Sequence, residues 1–320
     1  MPALPRLGNE REHERCLPVG GVRGGHDVRL LPFLGVNGQG RAGLLTPVLV
    51  RMLEGRVGST AMMQLLASSP EVALDRAYPF HNSYLTYFVH LTGLVSGQQP
   101  TDQGIVELVY QGDRRLGPLP FQAGIVDAQE MASRSLSAIW ATFSQQVLER
   151  SDTTERFYAE KYWGSLEPLL AAGLRPIVIE LVRDPRDVIP SIRAYNHRYS
   201  DRFFGRPLAS DDFHHLKHLV VGMALRFNEF KATLPVPTLK VRYEDFVTDP
   251  EAYASKLEDL LGTTLDPGAL VADKAVLDQH MTSATVRQSI GRWQGDLSPE
   301  EVSFIETRLG ANMREFGYLS

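Results

Sequence analysis

The stretch TPVLVRMLEGRVGSTAMMQLLASS, residues 46–69, changes from one hydrophobic period to another and so decides the fold. Residues 48–53 form an apolar run that begins with β-branched residues, which is typical of a buried strand. Met62 and Leu66 then recur at helical spacing. We therefore expect a strand, a turn near Gly55 and an amphipathic helix in immediate succession.

The turn between this strand and this helix has the composition of a phosphate site. Gly55 and Gly58 permit a tight backbone turn, and Ser59 and Thr60 can cap the helix that follows. Free N–H groups and the positive end of the helix dipole attract an anion there. Arg56 adds a fixed positive charge and a fork of donors. The alternative is an ordinary strand-to-helix turn with a Ser/Thr cap.

Composition limits the class of protein. A chain of 320 residues with an ordinary apolar fraction can bury a large core. The formal net charge of -5 argues against sequence-independent nucleic-acid binding, so any positive site must be local. Cys16 is the only cysteine, which excludes an intrachain disulfide and a cysteine-based zinc site. No apolar run reaches membrane-spanning length and no secretory signal is recognisable, so we expect no membrane span and a cytoplasmic location.

The strand-loop-helix pattern recurs along the chain. Residues 175–182, RPIVIELV, predict a second strand, and a helix is expected to start near Asp187 with Pro190 in its first turn. Residues 235–241 predict a further strand. More helices are predicted from apolar stripes and caps at residues 134–150, residues 213–230, from Pro250 to Gly262 after the cap Asp249, and from Ser298 with a capping box to Glu301.

Strands that alternate with helices predict an α/β fold. We expect a single domain over residues 46–320, with a mainly parallel sheet flanked by helices and a P-loop-like strand-loop-helix nucleotide site. Residues 1–45 are rich in Gly and Arg and lack periodicity, which indicates an N-terminal extension that is mobile or loosely packed.

The second predicted strand is followed by another set of anion-binding residues. Arg183 stands at the strand end, and Ser191, eight positions later, is expected on the first turn of the next helix. Because the carboxyl ends of parallel strands meet at one edge of a sheet, the loops after both strands should face one crevice. A guanidinium and a hydroxyl there suit a second phosphate. The alternative is that Arg183 pairs with Asp184 or Asp187 and that Ser191 faces solvent.

Together, these motifs resemble those of the sulfotransferases that use 3′-phosphoadenosine 5′-phosphosulfate (PAPS). GRVGST, residues 55–60, is similar to the 5′-phosphosulfate loop of that family, and LVRDPRDVIPSIRAYN, residues 181–196, to its 3′-phosphate motif. RYEDF at residues 242–246 and RQSIGRW at residues 287–293 resemble later family segments. The resemblance spans about residues 48–318.

The resemblance implies a set of donor-binding residues. They are Arg56, Val57, Gly58, Ser59, Thr60, Arg183, Ser191, Tyr243, Arg287, Gln288 and Ser289. Arg56, Gly58, Ser59 and Thr60 would hold the 5′-phosphosulfate, Arg183 and Ser191 would hold the 3′-phosphate, and Tyr243 would help to place the adenine. The RQS at residues 287–289 would close over the 3′-phosphate, although it departs from the more usual Arg-Lys-Gly. Ala61 stands where cytosolic members often carry an aromatic residue that stacks on adenine.

The resemblance also implies the chemistry. A hydroxyl of a small metabolite, a lipid or a carbohydrate would attack the sulfur of PAPS in line without a metal, while positive charge and N–H groups stabilise the departing phosphate. Arg56 would contact the leaving oxygen. A general base must stand near the acceptor. The candidates are His81 in YPFHN after the first helix, Glu160 upstream of the second strand, and Asp75.

Two other functions remain open. A P-loop nucleotide kinase or NTPase begins in the same way, but the loop here lacks the Gly-Lys-Ser/Thr ending that places a lysine and a magnesium ligand on the phosphates. A non-catalytic nucleotide-binding module would carry the same loops.

His214, His215 and His218 suggest a metal site because the first and last are four residues apart, but no carboxylate-rich partner motif accompanies them, and we expect no metal.

Overall fold

The computed structural model describes residues 43–77, 79–95, 126–150, 154–272, 282–283 and 287–320. The strands there are β1 (Thr46–Met52), β2 (Val72–Ala73), β3 (Phe157–Tyr162), β4 (Ile177–Val182) and β5 (Thr238–Arg242). The helices there are α1 (Ser59–Leu66), α2 (Tyr84–Val95), α3 (Ala128–Arg150), α4 (Glu167–Ala171), α5 (Pro185–Arg198), α6 (Asp212–Lys231), α7 (Tyr243–Thr248), α8 (Pro250–Leu261), α9 (Ala269–Ala272), α10 (Trp293–Asp296) and α11 (Pro299–Glu315).

The described strands form one parallel sheet in the order β2-β3-β1-β4-β5. Side chains of β1 alternate between its two faces: Val48 and Val50 pack with α1, α5 and α6, whereas Leu49 packs with α2, α3 and α4. Both faces of a parallel sheet are covered in this way, which explains why the strand is apolar throughout. The predicted α/β fold with a parallel sheet flanked by helices is confirmed.

The register of the sheet brings three loops to one edge. In β1, Val50 pairs with Lys161 of β3, and Met52 pairs with Leu181 of β4. All three strands run in the same direction, so the chain leaves each of them at the same end. The loop after β1 and the residues after β3 and β4 therefore face a common crevice, where sequence analysis places the donor.

Three helix ends agree with their sequence signals, and one does not. Asp249 caps α8, which ends at the left-handed Gly262, and Ser298 and Glu301 form the capping box of α11. Helix α5 begins earlier than predicted, because the side chain of Asp184, not Asp187, accepts from the first turn. Ser191 consequently lies in the second turn of α5 instead of the first.

Strand β3 was not predicted as a strand. Its sequence, FYAEKY, places Glu160 and Lys161 side by side in an otherwise aromatic segment, and neither charged residue suggests a buried strand. Both are nevertheless buried. The proposed extension over residues 1–45 falls, except for residues 43–45, outside the described residues. Within the described residues, no helix is long and apolar enough to cross a membrane.

Candidate functional site

The loop between β1 and α1 leaves the start of the helix without a side-chain cap. Gly58, with φ 89°, is the N-cap residue, and no side chain caps the first turn. The predicted Ser/Thr cap is therefore wrong, and N–H groups at this helix start remain available for an anion. Arg56 also takes the left-handed conformation, with φ 67°. The side chain of Val57 is fully buried in the core, so this residue can face a ligand only through its backbone.

Aromatic rings pack directly on the two glycines of this loop. A Cβ atom on Gly55 would come within 2.1 Å of the ring of Phe204, and one on Gly58 within 2.6 Å of the ring of Tyr243. Neither position has room for a side chain. The glycines thus allow the loop to lie between two rings as well as to turn.

Arg183 joins the loop after β4 to the loop after β1. Its Nη1 atom donates to the carbonyl of Arg56 at 2.8 Å, and its Nη2 atom donates to the carbonyl of Ser289 at 2.6 Å. Its guanidinium lies 4.4 Å from the ring centre of Tyr243. The Tyr243 hydroxyl lies 2.9 Å from Ser289 Oγ. Four residues predicted to bind the donor, all far apart in sequence, are thereby in contact.

Ser191 of α5 contacts the side chain of Arg56 in the loop after β1. Arg56 Nε donates to Ser191 Oγ at 3.4 Å, and Thr282 Oγ1 is 3.2 Å from that oxygen. Ser191 is buried, so it does not face solvent. The carboxylate of Asp184 pairs with Arg186, and that of Asp187 accepts from the backbone N–H of Gly291 and from that of Trp293 at the start of α10. The hydrogen bonds of Arg183 described above thus go to two backbone carbonyls, and its charge interacts with Asp187 without a described hydrogen bond between them.

Of the three residues predicted to close over the 3′-phosphate, the first two, Arg287 and Gln288, differ from Ser289 in their exposure. Arg287 and Gln288 are exposed on the 3₁₀ turn Arg287–Ser289, whereas Ser289 is buried against Arg183 and Tyr243. The described contacts thus bring one residue of this predicted trio to the donor side.

Lys161 is a site residue that the sequence analysis did not select. Its ammonium donates to Thr60 Oγ1 at 3.1 Å and to the carbonyl of Pro79 at 2.7 Å. Burial, with the nearby charge of Arg56, lowers the pKa of Lys161 to about 7. The aromatic residues around it could have indicated a buried strand, but which face its side chain occupies depends on the pairing with β1.

A cavity of about 360 Å³ opens beside this loop. Its lining includes Arg56 and Ser59 of this loop, Lys161 of β3, and His81 and Thr86. Because Arg56 and Ser59 also belong to the loop that is expected to hold the 5′-phosphosulfate, this cavity is the candidate acceptor site.

His81 is the predicted base that the structure brings to the cavity. The residue lines the cavity and is exposed to solvent, and partial desolvation of its ring, together with the charge of Lys161, lowers the pKa of His81 to about 4. The imidazole is consequently neutral near pH 7 and can accept a proton.

The other two predicted bases do not line the cavity. The carboxylate of Glu160 is buried on the opposite face of the sheet, where it accepts from Leu85 N at 2.8 Å and Thr86 N at 2.9 Å. Burial raises the pKa of Glu160 to about 7. Asp75 accepts from Asn82 Nδ2 and from a backbone N–H, and these bonds lower its pKa. The geometry does not support a base at either position.

The histidines of α6 do not form a recognisable metal centre. His214 and His218 lie with ring centres 4.5 Å apart, and Ser210 Oγ is 3.1 Å from His214 Nδ1. His215 points elsewhere, with its Nε2 atom 2.7 Å from the carbonyl of Phe204. Among the described residues, no group of three or more His, Cys, Asp or Glu side chains could hold a metal ion.

Comparison with known proteins gives a family match and several structural likenesses. A family model described as the sulfotransferase family matches residues 54–267. No curated protein sequence matches the chain. The sulfotransferase domain of the Synechococcus PCC 7002 olefin synthase is 16% identical, with 84% of this chain and 96% of that chain covered and a TM-score of 0.44. A mouse sulfotransferase complexed with PAP is 12% identical, with 84% of each chain covered and a TM-score of 0.46.

A sulfotransferase from Mycobacterium avium is 13% identical, with 87% of this chain and 78% of that chain covered and a TM-score of 0.42. These identities and scores are too low to support an argument about function. The family match includes both predicted phosphate motifs and extends over about two thirds of the sequence. The chain belongs to the sulfotransferase family.

Proposed function

We propose that this sulfotransferase moves the sulfuryl group of PAPS to a hydroxyl of a small molecule bound in the cavity. The observation that carries the proposal is the contact between the two phosphate motifs, in which Arg183 binds the carbonyl of Arg56 and Arg56 binds Ser191. Arg56 also lines the acceptor cavity. Donor and acceptor can therefore meet at this residue.

Unused hydrogen-bonding groups support the fit of PAPS. The first turn of α1 has no side-chain cap, and the buried Nε atom of Arg183 has no hydrogen-bond partner among the described residues. A buried cationic donor without a partner is costly, and a phosphate oxygen would satisfy it. Arg183, Ser191 and Ser289 would hold the 3′-phosphate, residues 56–60 would hold the 5′-phosphosulfate, and Tyr243 would lie against the adenine.

The residues of the cavity have distinct chemical tasks. PAPS, when bound, supplies the sulfuryl group and a phosphate leaving group. His81 takes the proton of the acceptor hydroxyl as the new oxygen–sulfur bond forms and the bond to the phosphate breaks. Arg56 stabilises negative charge on the sulfuryl and leaving oxygens, and the buried Lys161, with a pKa of about 7, does so in its protonated form.

Binding of 3′-phosphoadenosine 5′-phosphate (PAP) tests the donor site by isothermal titration calorimetry. We expect Arg183→Ala to weaken PAP binding by about 100-fold, because charge-assisted bonds to the 3′-phosphate are lost. The exposed Arg134→Ala is the matched control and should bind like the wild type. Failure of the wild type to bind PAP, or equal binding by Arg183→Ala, would contradict the proposal.

Transfer of labelled sulfate from PAPS tests the catalytic step. His81→Ala should lower kcat by roughly 10²–10⁴-fold with unchanged PAP binding. Tight PAP binding without turnover on any acceptor would instead indicate a non-catalytic module, and magnesium-dependent ATP binding would indicate a nucleotide kinase or NTPase. The cytoplasmic location and the separate extension over residues 1–45 stay predictions.

A further inference from the structure

The walls of the acceptor cavity are aromatic. Tyr87 comes from α2, Trp163 follows β3, Tyr195 lies on α5, and Phe204 lies in the loop after α5. Met52 at the end of β1 adds a further apolar surface. Aromatic rings prefer to pack against other rings in offset or edge-to-face geometry. The cavity is therefore suited to a flat, apolar ligand.

The apolar surface continues beyond the cavity mouth. Tyr87 is 58% exposed and Trp163 is 39% exposed, although both line the cavity. Leu91, one turn further along α2 than Tyr87, is 55% exposed. Large apolar side chains left in water next to a cavity favour a ligand that covers them.

The charges in the cavity also restrict the ligand. In the described part of the chain, no Asp, Glu, Asn or Gln side chain lines it, whereas Arg56, Lys161 and two histidines do. A cationic acceptor would be repelled. The aliphatic hydroxyl side chains of Ser59, Ser83 and Thr86 also line it, but Ser83 Oγ already donates to the carbonyl of Lys161 and Thr86 Oγ1 to Glu160. Few partners are left for the several hydroxyls of a sugar when they leave water.

We propose that the acceptor is a phenol without a cationic group, with its ring between the aromatic walls and its hydroxyl toward His81 and Lys161. This inference rests on the proposed function. A phenol ionises near pH 10, far more easily than an aliphatic alcohol, so its hydroxyl needs less help from a base.

Four acceptors compared at saturating PAPS test the substrate class. We expect kcat/KM for 2-naphthol to exceed that for methyl glucoside and for the cationic phenol tyramine by about 100-fold, and that for decahydro-2-naphthol, its saturated counterpart, by about tenfold. Preference for the sugar or for tyramine, or equal rates with naphthol and its saturated counterpart, would overturn the inference. Because PAP binding is measured separately, a protein that binds PAP and sulfates a sugar refutes the phenol and leaves the proposed function intact.

A pair of variants tests the aromatic wall. Trp163→Ala should raise the KM for 2-naphthol about tenfold and leave the Kd for PAP unchanged. Val221→Ala is the control, since Val221 is 61% exposed on α6 and is outside the cavity lining. Equal KM values in the two variants would also count against the phenol.

A second, independent observation concerns the segment that carries His81. This segment is tied to β3 at successive points: Lys161 donates to the carbonyl of Pro79, Ser83 Oγ donates to the carbonyl of Lys161 at 3.0 Å, and Tyr84 N donates to the Tyr158 hydroxyl at 3.2 Å. The position of His81 thus depends on its attachment to β3.

Glu160 is the centre of this attachment. Its carboxylate accepts four hydrogen bonds, from Leu85 N, from Thr86 N, from Thr86 Oγ1 at 2.6 Å and from the Tyr158 hydroxyl at 3.0 Å. Two of these donors are N–H groups of the first turn of α2, where a negative charge also interacts favourably with the helix dipole. The same helix carries Tyr87, which forms a wall of the cavity.

We infer that Glu160 is a positioning residue, which fixes α2 against β3 and thereby sets the acceptor wall without touching the acceptor. This inference rests on the proposed function only because it requires an acceptor to bind in the cavity. The carboxylate lies on the face of the sheet opposite Lys161, so it acts through α2.

Kinetics and hydrogen exchange of Glu160→Gln test this role. We expect the acceptor KM to rise about tenfold, the Kd for PAP to stay within about twofold, and amide exchange to accelerate in the first turn of α2. Glu180→Gln is the matched control, because Glu180 is equally buried but pairs with Arg51. It should lose stability without a change in acceptor KM.

Tyr158→Phe provides a milder test if Glu160→Gln does not fold. It removes one donor to Glu160 and keeps the ring, and we expect the acceptor KM to rise about threefold. Unchanged KM and exchange in the folded variants would overturn the inference. A fall in kcat at unchanged KM would do so as well, and it would restore Glu160 as a catalytic base.

Discussion

Gly58 combines a left-handed backbone with a close approach to Tyr243, and these two constraints can be separated. Gly58→Ala should lose about 1–2 kcal/mol of stability from its positive φ and should also displace Tyr243, which weakens PAP binding. Gly173→Ala has a similar φ of 78° with nothing within 4 Å of a Cβ, so it should lose stability alone. Denaturant unfolding and PAP titration of both variants measure the two effects. Normal PAP affinity in Gly58→Ala would contradict the assigned role of Tyr243.

The pKa of Lys161, lowered to about 7 by burial and by Arg56, predicts how donor affinity depends on pH. The charged ammonium favours an anion beside it, so PAP binding above pH 7 must take up a proton. We expect the affinity to fall by up to about tenfold per pH unit above pH 7, and to change little below it. Lys161→Arg stays charged and should bind independently of pH over this range. A wild-type Kd that is constant from about pH 6 to 8.5 would refute the assignment.

At the scale of elements, α1 differs from helices whose starts are capped. It has no acidic residue in its first turn and no side-chain cap, whereas α11 begins with a full capping box. Ser59→Asp should stabilise the helix start by about 0.5 kcal/mol and at the same time repel the donor, so that melting temperature and PAP affinity change in opposite directions. Ser59→Ala, which adds no charge, should retain most PAP affinity. Undiminished PAP binding by Ser59→Asp would place the anion elsewhere.

The elements that could be predicted from the sequence have a local hydrophobic pattern, whereas those that were missed depend on contacts with residues far along the chain. β1 and β4 are apolar because both faces of the sheet are covered, and local pattern suffices to find them. Strand β3 contains two buried charged residues whose partners lie on α1 and α2, so its stability depends on contacts far along the chain. The same distinction holds in the site. Local spacing indicated Arg183 and Ser191, whereas Trp163 and Phe204 join the cavity through tertiary packing alone.

At the scale of the whole molecule, a buried charge pair links the centre of the sheet to α6. Arg51 of β1 donates to Glu180 of β4 at 2.9 Å and to Glu229 of α6 at 3.0 Å. Arg51→Met should cost about 3–5 kcal/mol, because it leaves Glu180 buried without its partner. The double variant Arg51→Met/Glu180→Leu should regain most of this loss, as urea unfolding would measure. A double variant as unstable as the single one would show that the pair itself contributes the stability.

Strand β3 gives the molecule a particular sensitivity to insertions. Glu160 and Lys161 are consecutive, and they serve opposite faces of the sheet: the carboxylate holds α2, and the ammonium reaches the donor loop. A single residue inserted before them within Phe157–Tyr162 would exchange their faces, because side chains alternate along a strand. The donor site and the acceptor site would then be disrupted together by a single inserted residue that itself contacts neither substrate. Evolution can therefore vary the acceptor by substitution in the walls, but it must preserve the length of this strand.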